Sequence, residues 1–478
     1  MYSINQGARW LAGLQIFEIL VQSSMKIVLA WILTPEDFGV IGTALLISGF
    51  AQATSQTGVV AALIQKKDLI SDHLNSGWTI EVIRGLILYA IIFFITPFYI
   101  TYMTGELNND YVSLVRVVGL IVLLDSLKNI GIIFFDKTLN FRKVFLLQSI
   151  SLIAKSISSL LLCLYLESYW GIAYGMLIGS IFLFFASYFL SDYRMRFIIN
   201  YKIFKELMSF GIWVFFYTII GFIILKLPEF IALKQLGIKE LGILQMAIFI
   251  GMIFRNTISE IQNRIVFPLA SDQQNSTAAI KKLYLTSFEI SLLIYLPAGI
   301  GLSYISADLV QFIFPAQWFD VSYVLGILAI AGIFGSLTRV IEQIYKGVGA
   351  VKEILIFCLL SLGSLAYCLY FIFEITIAGI GYSILVSSIM HFLIIFIHSL
   401  IKFKIKLSSL FVNTPFIVLP SIIMILILVY LDPFLVFSGV ILLVTKIGIG
   451  IFTFAASILV LFSIFRKKFI SNLLKNEH

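Results

Sequence analysis

Apolar stretches of roughly 20 residues, the length a helix needs to cross a hydrocarbon layer, follow one another from Trp10 to Phe465 with only short charged connections between them. The pattern predicts about fourteen such helices, over 9–33, 39–64, 78–103, 111–135, 144–167, 169–190, 207–233, 240–267, 281–305, 319–346, 351–374, 377–402, 411–431 and 434–465. Backbone groups in lipid must be paired internally, and helices of this length do so locally. The fold class expected is therefore an all-α polytopic membrane protein. The first stretch runs into further spans without a small-residue cleavage site and reads as a retained helix.

Polar positions between the spans alternate in charge. One set of connections carries Arg142, Lys143, Arg194, Arg196, Lys281, Lys282, Lys402, Lys404 and Lys406, and the other carries Glu36, Asp37, Glu106, Asp110, Asp308 and Asp320. Basic loops stay in the cytoplasm, so both termini are expected inside, which agrees with an even number of spans. A shift of 203 positions superimposes Trp10 on Trp213, Leu33 on Leu236, Asp37 on Glu240, Gly39 on Gly242, Val40 on Ile243 and Ala44 on Ala247. Six spans separate the copies, so two six-helix bundles of like orientation are expected, over 1–205 and 206–406. Two additional helices and a basic tail follow over 407–478. Parallel repeats of this kind place a substrate route at their interface near mid-depth.

Composition sharpens the class: 60% of residues are hydrophobic, 12% are charged and the mean hydropathy is +1.04, against about 25% charged in a soluble domain. The net charge of +8 is spread over many short loops, so it reports topology and not nucleic-acid binding. Cys163, Cys358 and Cys368 sit in apolar segments and read as packing residues. His391 and His398 share a helix face, but no third ligand type accompanies them in sequence, so no metal site is expected. No glycine-rich phosphate loop follows a strand, and no cofactor is expected. The loops are too short for a catalytic domain.

A charged side chain at mid-depth costs about 2.5–3.5 kcal/mol even on a lenient scale, so the charges inside spans carry the functional signal. The cations there are Lys26, Arg84, Arg116, Lys128, Lys155, Lys226, Arg255, Arg264, Arg339 and Lys446; the acids are Glu18, Glu81, Asp125, Glu229, Glu260, Glu289 and Glu342. Gln15, Glu18, Gln22 and Lys26 recur at helical spacing and line one face of the first span, and Gln52, Ser55 and Gln56 form a polar patch on the second. Glu81 with Arg84, Asp125 with Lys128 and Arg339 with Glu342 are spaced to neutralise each other. Lys26, Lys155 and Arg255 have no partner nearby in sequence and are candidates for a cationic lumen. Pro228, between Lys226 and Glu229, removes a helix hydrogen bond, so a bend beside two charges, a helix break with a gating role, is expected in the seventh span.

Several motifs resemble those of the polysaccharide flippases of the multidrug/oligosaccharidyl-lipid/polysaccharide superfamily, the Wzx-type lipopolysaccharide and teichuronic acid exporters. They are Gly7 with Trp10, then Pro35 to Gly39 in the first turn, Ala62 to Lys67 closing the second span, and Leu139 to Lys143. Phe210 with Gly211, and Phe267, Pro268 and Ser271, extend the likeness over the first 270 or so residues. The resemblance implies a non-enzymatic carrier in the bacterial cytoplasmic membrane. It would move an undecaprenyl-pyrophosphate-linked oligosaccharide from the cytoplasmic to the periplasmic leaflet by alternating access, with pathway polymerase and chain-length proteins as further partners. Lysines and arginines would then meet the pyrophosphate, glutamines the sugar hydroxyls, and Glu18 a coupling ion. A lipid II flippase and a drug or cation antiporter of the same superfamily are the rival readings. An integral-membrane polymerase or glycosyltransferase lacks the outer loop it would need, and a purely structural protein has no use for the first-span polar stripe.

Overall fold

The computed structural model describes residues 4–55, 59, 63, 71–138, 140–198, 200–253, 265–410, 413–436 and 438–475, and the secondary structure among them is helical. The chain divides into two compact units, Met1–Gln245 and Met246–His478.

The first unit contains α1 (Ile4–Ile32), α2 (Pro35–Ser55), α3 (Ser71–Thr104), α4 (Asn109–Ser126), α5 (Phe141–Leu166), α6 (Trp170–Leu190) and α7 (Tyr201–Ile231), together with the start of α8 (Ile238–Gly251). Turn chemistry sets several boundaries. Thr34 and Asp37 cap each other at the start of α2, with the Thr34 hydroxyl donating to Asp37 Oδ2 at 2.7 Å. Asn108, Asn140 and Asn200 each accept backbone N–H groups at the starts of α4, α5 and α7, which satisfies donors a helix N-terminus leaves open.

The second unit contains the rest of α8, α9 (Thr277–Tyr304), α10 (Ser306–Ile313), α11 (Val321–Gly347), α12 (Val351–Tyr367), α13 (Ile377–Lys402), α14 (Pro415–Leu431) and α15 (Gly439–Lys475). Helix α11 is its centre: it packs on α9, α12 and α13 and buries Trp318 just ahead of it and Tyr345 near its end. Across the same core, Tyr284 on α9 and Ser399 on α13 share a hydrogen bond of 2.8 Å.

Among the described residues, ten helices are long and apolar enough to cross a membrane, or eleven if Asn109–Ser126 and Ile130–Lys137, bent by 65°, form one span. Their outward faces are oily. Phe98, Phe189 and Phe371 are 79%, 89% and 78% exposed, an arrangement water would punish and lipid accepts.

Two of the three neutralising pairs expected within helices form, Glu81 with Arg84 and Asp125 with Lys128. Glu342 lies 3.8 Å from His391 Nε2, and among the described ion pairs none joins it to Arg339. Lys446, on the last helix, is 5% exposed and lies between Asp308 and Asp432, 2.6 Å from each, while Tyr304 donates to Asp432 at 2.8 Å. This cluster ties α15 to α10 and to the end of α14. Removing one member of a buried ion cluster strands the others. Lys446→Met is expected to cost about 3 kcal/mol and to lower the melting temperature in detergent, with Asp308→Asn costing more than Asp432→Asn because Asp432 keeps more water. Equal melting of wild type and Lys446→Met would contradict this role.

Candidate functional site: a cationic cluster in the first unit

Four ionisable groups from three of the predicted spans lie near one another in the first unit. Lys26 on α1 lies within electrostatic reach of Lys155 on α5 and of Lys226 and Glu229 on α7. Packing explains how α5 delivers its lysine. Gly171, Gly175 and Gly179 on α6 recur every four residues opposite Cys163, Ser159 and Lys155 on α5, and a Cβ at Gly179 would sit 2.6 Å from Lys155 Cβ. Small residues at this spacing let helix backbones approach closely in lipid. Ser151 fastens the same seam by donating to the Gly179 carbonyl at 2.9 Å.

Glu229 is the cluster's acid and is 1% exposed. One carboxylate oxygen meets Lys226 Nζ at 2.5 Å, and the other accepts from Gln245 Nε2 at 2.7 Å. A buried carboxylate needs such partners. Tyr99 on α3, also within electrostatic reach of Glu229, donates to the Thr43 carbonyl at 3.0 Å. Lys26, Lys155 and Lys226 are each half-buried. Three lysines face one carboxylate in this cluster, a formal excess of two positive charges.

The polar stripe on α1 is partly open: Gln22 is exposed, and Gln15, Glu18 and Lys26 are half-buried. Gln52 on α2 is exposed as well. Arg255 and Gln56 lie outside the described residues. The helix break expected at Pro228 takes a different form. Helix α7 continues through Pro228 to Ile231 and widens into a π turn over Ala232–Leu236, so the irregularity falls four residues after the proline. The hydrogen bond that Pro228 cannot make lies on its N-terminal side, toward Ile224, so the π turn is a separate irregularity of the same helix.

Gln245 and Tyr99 escaped sequence reading because a lone glutamine and a lone tyrosine in apolar helices carry no periodic signal. Gln245 had one available cue: it stands 203 residues after Gly42, the shift at which the two segments resemble each other. The structure brings these segments into contact. A Cβ at Gly39 would lie 1.8 Å from the Ile238 carbonyl oxygen, a Cβ at Gly242 would lie 1.9 Å from the Pro35 carbonyl oxygen, and one at Gly42 would lie 2.5 Å from Gln245 Oε1. Pro35 and Ile238 are themselves 203 residues apart. The contact is thus reciprocal, i with j and j with i, the pattern of a two-fold interface.

Comparison with known proteins agrees with this architecture. Residues 28–323 match the family model described as polysaccharide biosynthesis protein. The lipopolysaccharide biosynthesis protein WzxC of Escherichia coli is 21% identical over 69% of this chain and 67% of its own length. The succinoglycan biosynthesis transport protein ExoT of Rhizobium meliloti is 22% identical over 67% and 65%, and the teichuronic acid biosynthesis protein TuaB of Bacillus subtilis is 22% identical over 69% and 68%. The chain therefore spans about two thirds of these relatives' length. Among solved structures, the lipid II flippase MurJ in an inward closed conformation superimposes with a TM-score of 0.74 at 16% identity, covering 96% of this chain and 99% of that one. An inward-facing multidrug MATE transporter superimposes at 0.64 and 14%, covering 82% and 98%. The match to more than half of the sequence identifies this chain as a member of the polysaccharide biosynthesis protein family.

Proposed function

We propose that the protein is a lipid-linked oligosaccharide flippase that moves undecaprenyl-pyrophosphate-linked polysaccharide repeat units from the cytoplasmic to the periplasmic leaflet by alternating access. The observation that carries this reading is the charge of the cluster around Lys26. A pyrophosphate joined to a lipid at one end and a sugar at the other bears two ionised oxygens, and Lys26, Lys155 and Lys226 against Glu229 leave two positive charges to meet them. Ammonium donors to phosphate oxygens are strong, charge-assisted contacts, and a low-dielectric setting strengthens them. The exposed Gln22 and Gln52 offer donors and acceptors to sugar hydroxyls, with Gln15, Gln56 and Arg255 as further members of the lumen. Glu18 is the coupling group for an ion, and the π turn after Lys226, Pro228 and Glu229 is where α7 yields during gating. The printed names of the relatives, which concern lipopolysaccharide, succinoglycan and teichuronic acid, support a surface polymer as the destination.

The architecture that goes with this function has fourteen spans. Two parallel six-helix bundles, 1–205 and 206–406, are followed by two helices over 407–478, with both termini in the cytoplasm of a bacterial inner membrane. The reciprocal contact of Gly39 and Gly242 supports the repeat. The protein is not an enzyme; a polymerase and chain-length proteins act on what it delivers.

A lipid II flippase shares the pyrophosphate and so the charge argument, whereas a drug or cation antiporter would present acids where this cluster presents lysines. The deciding experiment reconstitutes the protein in liposomes with defined pyrophosphoryl-linked glycans. Flipping of a surface-polymer unit, with slower flipping of lipid II, is the expected result. Transport of lipid II alone would move the protein to the peptidoglycan branch, and failure with both would end the flippase reading.

A further inference from the structure

Helices α11, α12 and α13 of the second unit bring three different metal-ligating side chains together. Glu342, Cys358 and His391 offer a carboxylate oxygen, a sulfur and a ring nitrogen that all lie within 4.8 Å of one another, with 3.8 Å between Glu342 Oε1 and His391 Nε2. Glu342 and Cys358 are buried, and His391 is half-buried. We propose that Glu342, Cys358 and His391 form a binding site for a divalent transition ion of the zinc type.

Geometry comes first. Ligands about 2.0–2.3 Å from a tetrahedral zinc stand roughly 3.3–3.8 Å apart, so the observed triangle closes on an ion by small side-chain rotations. The triangle is also held in place. Glu342 and Cys358 sit on the two arms of one helical hairpin, whose turn is closed by the Ala350 N–H donating to the Tyr345 carbonyl at 2.8 Å. The third arm is fastened to the hairpin by Tyr345 with His398 at 2.6 Å and by Lys402 with Glu353 at 2.5 Å. Ligands fixed by surrounding hydrogen bonds bind metal better than ligands on loose elements.

Charge and softness then select the ion. On binding, the Cys358 thiol releases its proton to solvent and coordinates as thiolate, Glu342 coordinates as carboxylate, and His391 coordinates through a neutral ring nitrogen. Two negative ligands and a doubly charged cation sum to zero, and a neutral cluster avoids the cost of a bare ion inside an apolar bundle. A thiolate and an imidazole disfavour magnesium and calcium, which prefer oxygen ligands, and suit zinc or its neighbours. The sequence hid this site because its ligands are 16 and 33 residues apart on three helices, a spacing unlike any metal motif. The site makes no use of the lysine cluster and stands independently of the transport reading.

The test uses the purified full chain with any affinity tag removed and cobalt(II) as the spectroscopic stand-in for zinc. One cobalt per chain is expected, with a sulfur-to-metal charge-transfer absorption that zinc abolishes. Cys358→Ser should remove the band, and Glu342→Gln and His391→Ala should each weaken binding at least tenfold. Cys163→Ser and Cys368→Ser should leave it unchanged. Absence of the band in wild type, or its survival in Cys358→Ser, overturns the proposal. X-ray absorption of the zinc-loaded wild type needs no variant to fold: a shell with one sulfur and lighter N or O neighbours supports the site, and a shell without sulfur refutes it.

Discussion

Lys26→Ala combined with Lys155→Ala is expected to reduce flipping of a pyrophosphoryl-linked glycan by about a hundredfold or more while leaving the protein folded. A hydrogen bond to a charged group contributes about 1.5–3 kcal/mol, and each 1.4 kcal/mol is about tenfold, so losing two such contacts exceeds anything a surface change would do. Stability should move the other way. Lys26 and Lys155 repel one another within the cluster, and removing like charges from a half-buried site relieves strain that function requires. The double variant should melt no lower than wild type in detergent, and Lys→Arg at both positions, which keeps the charge, should recover much of the transport. The pairing of lost transport with retained melting is what separates a binding role from a structural one. Wild-type flipping rates in the double alanine variant would remove these lysines from the substrate route.

Gly39→Val and Gly242→Val are expected to be the most damaging single changes to folding in the first unit. Even the first carbon of a side chain at either site would land under 2 Å from a backbone carbonyl oxygen of the opposing segment, 1.8 Å at Gly39 and 1.9 Å at Gly242. Backbone cannot swing aside as a lysine tip can, so α2 and α8 would have to separate. Overpacking a filled core costs about 1–3 kcal/mol, and a backbone clash of this depth belongs at or beyond the upper end. Monodisperse yield and melting temperature in detergent should both fall sharply. Gly13→Ala and Gly221→Ala, where a Cβ would meet nothing within 4 Å, should behave as wild type. Similar melting of Gly39→Val and Gly13→Ala would show that the close approach is not needed.

Much of the molecule could be read from the sequence because lipid imposes a simple rule: a run of apolar residues must become a helix. The charges were harder. Lys26 and Lys155 stood out as cations without local partners, yet that they gather with Lys226 and Glu229 depends on tertiary packing, α1 on α5 and α7 on α2 and α3, which no single-helix pattern encodes. Lys446 was read only as one of the cations inside spans, and its partners are Asp308, far back in the sequence, and Asp432, just before the last helix. At Pro228, where a break was expected, α7 continues to Ile231, and a π turn follows over Ala232–Leu236 that no residue pattern announces. His391 was judged against its own helix alone, so Glu342 and Cys358, brought in by α11 and α12, were invisible.

On the repeat reading, the two glycines that face each other's carbonyls have an evolutionary corollary. An ancestral half-length chain would have met its own copy at this seam, and end-to-end gene fusion would have turned that encounter into a single polypeptide. Drift at such a junction is then shackled: bulk gained beside Gly39 must be answered near Ile238, and bulk beside Gly242 near Pro35, so the two halves are expected to change there in step long after the rest has diverged.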